Sequence, residues 1–94
     1  MSDYYDAATP REYHVALQRR INDGSIWLFE GSAGRAAMAA IEAGRCVLGK
    51  EPHRDYYGNR IPSRYEVVRG TKGSAAYARD RQGDHWQRMI VRVK

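Results

Sequence analysis

The sequence predicts an α+β fold, in which a small, mostly antiparallel sheet of three or four strands packs against helices. The 94-residue chain is long enough for one hydrophobic core and too short for two. A helix-capping pattern near its start precedes residues at helical apolar spacing. Later in the chain, short apolar runs bounded by glycines are typical of strands. We therefore expect a flexible leader over residues 1–8 and one α+β domain over residues 9–94.

The first element after the leader is predicted to be a helix. Residues 9–12 (TPRE) have the spacing of a capping box, with proline at the first helical position. Tyr13, Leu17 and Ile21 then recur on one helical face, and Gly24 is a natural stop. The alternation of Tyr13, Val15 and Leu17 also fits a hairpin strand that turns at residues 22–25. The caps at both ends favour the helix.

A strand and an alanine-rich helix follow. The apolar and aromatic run at residues 25–30 (SIWLFE) predicts a strand. Ser32 is the expected N-cap of a helix that contains residues 36–43 and packs closely on the sheet. This helix ends at Gly44 or continues to Leu48; alternatively, residues 45–48 (RCVL) form a short fourth strand.

The second half of the chain begins with a loop over residues 49–62, rich in proline, glycine and asparagine. Residues 63–69 (SRYEVVR) are predicted to form a strand, and residues 70–73 (GTKG) a glycine loop. Ser74 then caps a short third helix over residues 75–81.

Residues 86–93 are predicted to form the closing strand. Their alternation places Met89, Val91 and Val93 on one face. The other face carries Trp86, Arg88, Ile90 and Arg92, and Lys94 continues it. Arg88, Arg92 and Lys94 then form a positive stripe, which we predict to be a surface for a partner.

The charge of the chain is unevenly distributed. The formal net charge is +5, yet residues 1–44 hold four basic and six acidic side chains, against twelve basic and five acidic in residues 45–94. This asymmetry indicates an anionic partner for the basic half, or self-association between unlike halves. Thirteen of the sixteen basic residues are arginine, which grips phosphate and carboxylate bidentately. A bias of genome composition, or a need for solubility, would produce some of the same features.

Several classes of protein are disfavoured by the composition. No apolar run approaches the length of about 18 residues that a membrane helix needs, and the polar start does not resemble a signal peptide. A single cysteine excludes an internal disulfide framework and favours a reducing, cytoplasmic environment. Because a small sheet does not readily bury both Trp27 and Trp86, we also expect a homodimer.

One candidate anion site is the glycine turn before the third helix. A turn that leads into a helix N-terminus presents backbone N–H groups with a favourable dipole. Arg69, Thr71, Lys72 and Ser74 are its predicted ligand-binding residues. The pattern is not that of a P-loop, because the lysine precedes the last glycine rather than following it. The simpler interpretation is a turn with solvated basic groups.

A second candidate site is the loop that contains Tyr56 and Tyr57. Tyrosine rings can stack on bases while arginines hold phosphates, and an asparagine can recognise a base edge. The predicted binding residues here are Arg54, Tyr56, Tyr57, Asn59, Arg60 and Arg64. The alternative is that one tyrosine packs in the core and Arg54 pairs with Asp55.

The sequence offers little for catalysis or for metal binding. The potential ligands Cys46, His53, Asp55, Asp84 and His85 lack the paired spacing of a metal site. Cys46 lies among apolar residues, which predicts a buried and inert thiol. We therefore expect no catalytic residue, no metal and no cofactor.

Three segments of the chain resemble small accessory proteins of tailed bacteriophages: residues 31–35 (GSAGR), 57–67 (YGNRIPSRYEV) and 70–74 (GTKGS). Such proteins often act as non-enzymatic inhibitors of host machinery, anti-CRISPR and other anti-defence proteins among them. The resemblance implies a host protein, a nucleic-acid complex or a signalling nucleotide as the target, and it assigns no residue a role.

The leading hypothesis is a basic binding protein that docks on nucleic acid, or on a nucleic-acid-handling complex, and blocks it. The alternative is a sponge for a small phosphorylated nucleotide, bound at a subunit interface by the turn at residues 70–74 and the tyrosine loop. A small enzyme is the third and weakest hypothesis.

Overall fold

The computed structural model describes residues 9–29 and 31–94, and it confirms the α+β class. The predicted leader, residues 1–8, lies outside the described residues. The elements are α1 (Pro10–Asp23), a 3-10 helix (Ser25–Leu28), α2 (Ser32–Glu42), β1 (His53–Arg54), β2 (Arg60–Ile61), α3 (Ala75–Gln82) and α4 (Asp84–Val91). In the described residues β1 and β2 form one antiparallel pair, so the prediction of three or four strands was too large.

Helix α1 follows the capping pattern of the sequence. The Thr9 hydroxyl accepts a hydrogen bond from the Glu12 N–H, and Gly24 closes the helix with a positive φ of 82°. Its inner face buries Leu17 and Ile21 completely. The helical interpretation is therefore confirmed over the hairpin alternative.

The apolar run after α1 is not a strand. Residues 25–28 form a 3-10 helix. At its first residue, the Ser25 N–H donates to the Asp23 carboxylate at 2.8 Å. Ile26 and Trp27 are buried, whereas Leu28 and Phe29 are exposed. Two buried residues followed by two exposed ones do not match the alternation of a strand. Leu28 and Phe29 are therefore available for contacts at the surface.

Helix α2 is the predicted alanine-rich helix. Gly31 occupies the N-cap position instead of Ser32, which is already helical. Alanines on its inner face are buried, and the helix ends before Gly44. Residues 45–48 follow as irregular chain that belongs to no sheet of the described residues, and Cys46, Val47 and Leu48 are buried.

The predicted strand at residues 63–69 is a series of turns. The Ser63 N–H donates to the Glu66 carboxylate at 3.1 Å, and the Glu66 N–H donates to the Ser63 carbonyl at 3.1 Å. These two bonds close a turn over residues 63–66 in place of a strand. Only half of a capping box is formed, because the Glu66 carboxylate accepts the Ser63 N–H but the Glu66 N–H bonds the Ser63 carbonyl and not its hydroxyl.

The predicted closing strand is helix α4, packed against α3. Trp86, Met89, Ile90 and Val93 follow helical spacing and pack on the core, with Ile90 fully buried. The predicted strand face shares only Met89 and Val93 with this helical set, and Ile90, which was assigned to the opposite face, is the fully buried residue. Ser74 caps α3 as predicted, by accepting the Tyr77 N–H at 3.2 Å.

Both tryptophans are accommodated within one copy of the chain. Trp27 is buried, and Trp86 packs on the core with its indole N–H donating to the Arg45 carbonyl at 2.9 Å. The reason given above for a homodimer therefore fails. Among the described residues, no helix combines the length and apolarity that crossing a membrane requires.

Candidate functional site

The tyrosine loop is a tight turn organised by one carboxylate. Asp55 Oδ1 accepts the backbone N–H groups of Tyr57 and Asn59 at 2.9 and 2.8 Å. Its Oδ2 accepts the Asn59 side-chain amide at 3.3 Å. Because these bonds fix the turn between β1 and β2, Tyr56 and Tyr57 project from it as a T-shaped pair with centroids 5.1 Å apart.

The polar residues predicted around this turn mostly bind within the protein. Arg54 donates to the Gly58 carbonyl at 3.0 Å, and Arg60 pairs with Glu66 at 2.6 Å. Asn59 uses its amide N–H on Asp55. The geometry therefore leaves the two tyrosines as the outward-facing part of the loop.

These tyrosines form one wall of an aromatic groove of about 510 Å³. The opposite wall is the outer face of α2, and Trp27 and Phe29 complete the apolar lining. The lining residues are Trp27, Phe29, Gly31, Gly34, Arg35, Met38, Ala39, Glu42, Asp55, Tyr56, Tyr57 and Ile61. A hydrogen bond of 2.7 Å from the Tyr56 N–H to the Trp27 carbonyl holds the turn against the 3-10 helix.

The glycine turn at residues 70–74 is closed by its own groups. Ser74 Oγ accepts the Gly70 N–H at 3.1 Å and donates to the Thr71 carbonyl at 2.8 Å. Thr71 directs both its N–H and its hydroxyl to the Val68 carbonyl. Lys72 extends to Glu42, at 3.4 Å. Several donors predicted to receive an anion are therefore engaged in the turn.

Arg64 has a structural role that sequence reasoning did not anticipate. Its Nε donates to the Leu48 carbonyl at 2.7 Å, and its terminal nitrogens reach the Val91 carbonyl and Asn22 Oδ1 at 3.4 and 3.3 Å. The residue is 7% exposed, and burial lowers the pKa of its guanidinium. Arg64 thus ties α1, the chain after α2 and the end of α4 together.

A second cavity of about 410 Å³, here called the basic cleft, opens beside Arg64. Its lining residues are Arg64, Tyr65, Val67, Arg69, Ser74, Ala75, Ala76, Arg79 and Gln87. Three are arginines, and none of these residues carries a carboxylate. The first turn of α3 forms part of its wall, which adds the positive end of a helix dipole.

The stripe of Arg88, Arg92 and Lys94 is only partly maintained. Arg88 lies on α4, and Arg92 is the C-cap of that helix one turn later, so these two share a face, whereas Lys94 lies beyond the cap. Arg88 pairs with Asp84 on the same face, and this arginine lowers the pKa of the Asp84 carboxyl. The predicted strand face, which also included Trp86 and Ile90, does not exist.

The predicted site residues are thus divided between two cavities. Tyr56 and Tyr57 line the aromatic groove, whereas Arg64, Arg69 and Ser74 line the basic cleft. Sequence reasoning missed Arg79 in the cleft, although it lies on the same helical face as Ala75 and Ala76. It also missed the outer face of α2 in the groove.

The described residues offer little support for a nucleophilic cysteine or for a metal site. Cys46 is buried, as predicted, and burial raises the pKa of its thiol to about 12. A thiol with that pKa holds almost no nucleophilic thiolate near neutral pH. Within residues 9–29 and 31–94, no group of three histidine, cysteine or acidic side chains is placed to hold a metal ion.

The comparisons with known proteins add no assignment: no family model, curated protein or solved structure matches the chain.

Proposed function

We propose that this protein is a small, non-enzymatic binding protein that docks through the basic cleft on nucleic acid and blocks access to it. This is the kind of action that an anti-defence inhibitor of a phage would have. The observation that carries the proposal is the lining of the cleft, where three arginines converge without a carboxylate.

Two of these arginines are available to a phosphate. Arg69 is exposed, and the side chain of Arg79 is 46% exposed. The carboxylate paired with Arg79 is that of its neighbour Asp80, at a long 3.9 Å. The N–H groups of Arg64 donate to groups within the protein, so Arg64 contributes its positive charge to the wall of the cleft without being free to bind a phosphate directly. Guanidinium groups in this setting favour bidentate contact with phosphate.

An aromatic ring lies at the same cleft. Tyr65 is 71% exposed, and the guanidinium of Arg64 lies 6.0 Å from the centre of its ring. A ring supported by a cation on one side can stack a base on the other. Because stacked bases must be unpaired, this favours a single strand over a duplex.

The test is binding of a fluorescein-labelled, mixed-sequence single-stranded oligonucleotide, followed by fluorescence anisotropy. We expect the double variant R69E/R79E to weaken binding by at least about tenfold, because each lost phosphate contact reduces the electrostatic contribution to affinity. The matched control is R11E/R19E, which reverses two exposed arginines on α1 and changes the net charge equally.

The outcomes separate a site from general charge. A loss confined to R69E/R79E supports the cleft, and an equal loss in both variants indicates non-specific attraction. A triple charge reversal of Arg88, Arg92 and Lys94 should have a smaller effect, since Arg88 already pairs with Asp84. Absence of binding to single- or double-stranded DNA and RNA would overturn the nucleic-acid partner and leave an acidic protein surface as the next target.

The alternative of a nucleotide sponge makes a different prediction. Tyr57 and the turn at residues 70–74 border different cavities in one copy, so a ligand touching both would have to bridge two copies. A thermal shift with one nucleotide that Tyr57→Ala removes would favour this alternative.

A further inference from the structure

The outer face of α2 carries a pattern that matches itself. Arg35, Met38, Ala39 and Glu42 follow one another at the spacing of a single helical face, and all four line the aromatic groove. The face therefore begins with a cation, has an apolar centre and ends with an anion. The two charged residues are seven positions apart, which is about 10.5 Å along a helix axis.

The groove beside this face also gathers the exposed apolar side chains of the molecule. Of the seven large hydrophobic residues exposed among residues 9–29 and 31–94, four line it: Phe29, Met38, Tyr56 and Tyr57. Tyr57 is 68% exposed and Phe29 is 43% exposed. Apolar side chains concentrated on one side of a small protein indicate an interface.

We infer that a second copy of this chain covers the groove, with the two α2 helices antiparallel across a two-fold axis. The axis lies midway between Arg35 and Glu42, at Met38 and Ala39. Arg35 of each copy then faces Glu42 of the other, so the same ion pair forms twice. Such a self-complementary patch is what a two-fold interface requires.

The residues at the axis permit close contact. Ala39 is exposed at the centre of the face, and a small side chain there allows helix axes to approach within about 8 Å. The aromatic side chains of the tyrosine turn and Phe29 then close over the flanks of the partner helix. Tyr, Phe and Met are residue types enriched in such interface cores.

The existing contacts of the two charged residues do not oppose this arrangement. Among the described residues Arg35 has no ion-pair partner. Glu42 pairs with Lys72 at 3.4 Å, but both side chains are more than half exposed, and such surface pairs contribute little. The basic cleft uses other residues, so this inference does not depend on the proposed function.

The test is a charge-swap series with the full chain, followed by sedimentation equilibrium. The wild type is expected to be a dimer. R35E and E42R each convert two attractive pairs into two repulsive ones, so each should weaken dimerisation about tenfold to a hundredfold. The double variant R35E/E42R restores opposite charges and should recover the dimer. A mixture of R35E and E42R should form a heterodimer, because every pair across that interface is again attractive.

Two controls isolate the pairing across the axis. Lys72→Ala removes the contact of Glu42 within one copy, and Arg19→Glu reverses an exposed arginine on α1, away from the groove lining. Both are expected to remain dimeric, and circular dichroism checks that every variant is folded. A monomeric wild type at high protein concentration overturns the inference. In that case the groove would be open to a different partner. A dimer that R35E and E42R leave unchanged also overturns the inference, because another face must then form that dimer.

Discussion

Replacing Gln18 should destabilise this protein more than any exposed substitution. Gln18 is fully buried on α1, and its amide pairs with the backbone of Val47 in both directions. Gln18 Nε2 donates to the Val47 carbonyl at 2.9 Å, and the Val47 N–H donates to Gln18 Oε1 at 2.8 Å. The amide thus replaces the neighbouring strand that residues 45–48 lack.

The magnitude follows from the groups that Gln18→Met leaves without a partner. Val47 is fully buried, so its N–H and C=O lose their hydrogen bonds to Gln18 and have no access to water. Each buried polar group left unsatisfied costs about 1–3 kcal/mol. The apolar Met side chain recovers about 1 kcal/mol by burial. We expect a net loss of about 1–5 kcal/mol in the free energy of unfolding, a substantial fraction of the roughly 5–15 kcal/mol of a typical domain.

The assay is urea unfolding followed by tryptophan fluorescence and circular dichroism. Gln18→Glu is a nearly isosteric second variant with a distinctive pH dependence. Its carboxyl can donate to the Val47 carbonyl only when it is protonated, so folding raises its pKa. The stability it contributes is present below the unfolded pKa of about 4.3 and is lost as the pH rises through the folded pKa. A Gln18→Met loss below about 0.5 kcal/mol, or no pH dependence in Gln18→Glu, would refute the reasoning.

Three further predictions use simple measurements. Gly24→Ala should destabilise more than Gly58→Ala: both have positive φ, but a Cβ at Gly24 would lie 2.3 Å from His53 Nδ1, whereas Gly58 faces open space; equal midpoints in urea would contradict this. Cys46 should react with a thiol reagent only after unfolding, because burial raises its pKa to about 12; rapid labelling of the native protein would contradict its placement. Burial lowers the pKa of His14, so the stability that its neutral form provides is present above about pH 6.5 and lost as the pH falls through the folded pKa. Unfolding of wild type and His14→Gln should therefore diverge in acid, and parallel pH profiles would exclude this role.

Helix ends and capping boxes were the features that the sequence predicted best. Thr9, Gly24 and Ser74 occupy the cap positions expected of them. Each signal is local: the Thr9 and Ser74 hydroxyls accept the N–H three residues on, and the Gly24 N–H donates to the Ile21 carbonyl three residues back. The first and third helices follow from such signals, whereas the N-cap of the second is Gly31 and not the predicted Ser32.

The strands were the features that the sequence predicted worst. Residues 25–30 form a short apolar run, and residues 63–69 and 86–93 contain apolar residues at alternate positions, yet none of the described residues among them is in a strand. Whether an apolar run forms a strand depends on a partner strand elsewhere in the chain. Here the backbone of Val47 and Leu48 bonds to distant side chains instead of a strand: Gln18 for Val47 and Arg64 for the Leu48 carbonyl. No local pattern announces such long-range bonds.

In the candidate sites, too, local features were predicted and long-range contacts were not. The exposed tyrosines were predicted from their loop, and the structure places both in one groove. The pairing of Arg60 with Glu66 and the burial of Arg64 depend on tertiary packing, so the list of free arginines could not be read from the sequence. Arg79 lines the basic cleft because α3 packs against the turns that precede it, a contact that the sequence does not show.

The salt dependence of oligonucleotide binding tests the central claim most directly. The logarithm of the binding constant of a single strand falls with the logarithm of salt concentration, with a slope of about −0.7 for each phosphate contacted. If Arg69 and Arg79 hold two phosphates, the neutral variant R69Q/R79Q should have a slope shallower by about 1.4 than that of wild type. An unchanged slope, with or without weaker binding, would show that these arginines contact no phosphate and would contradict the assignment of the basic cleft.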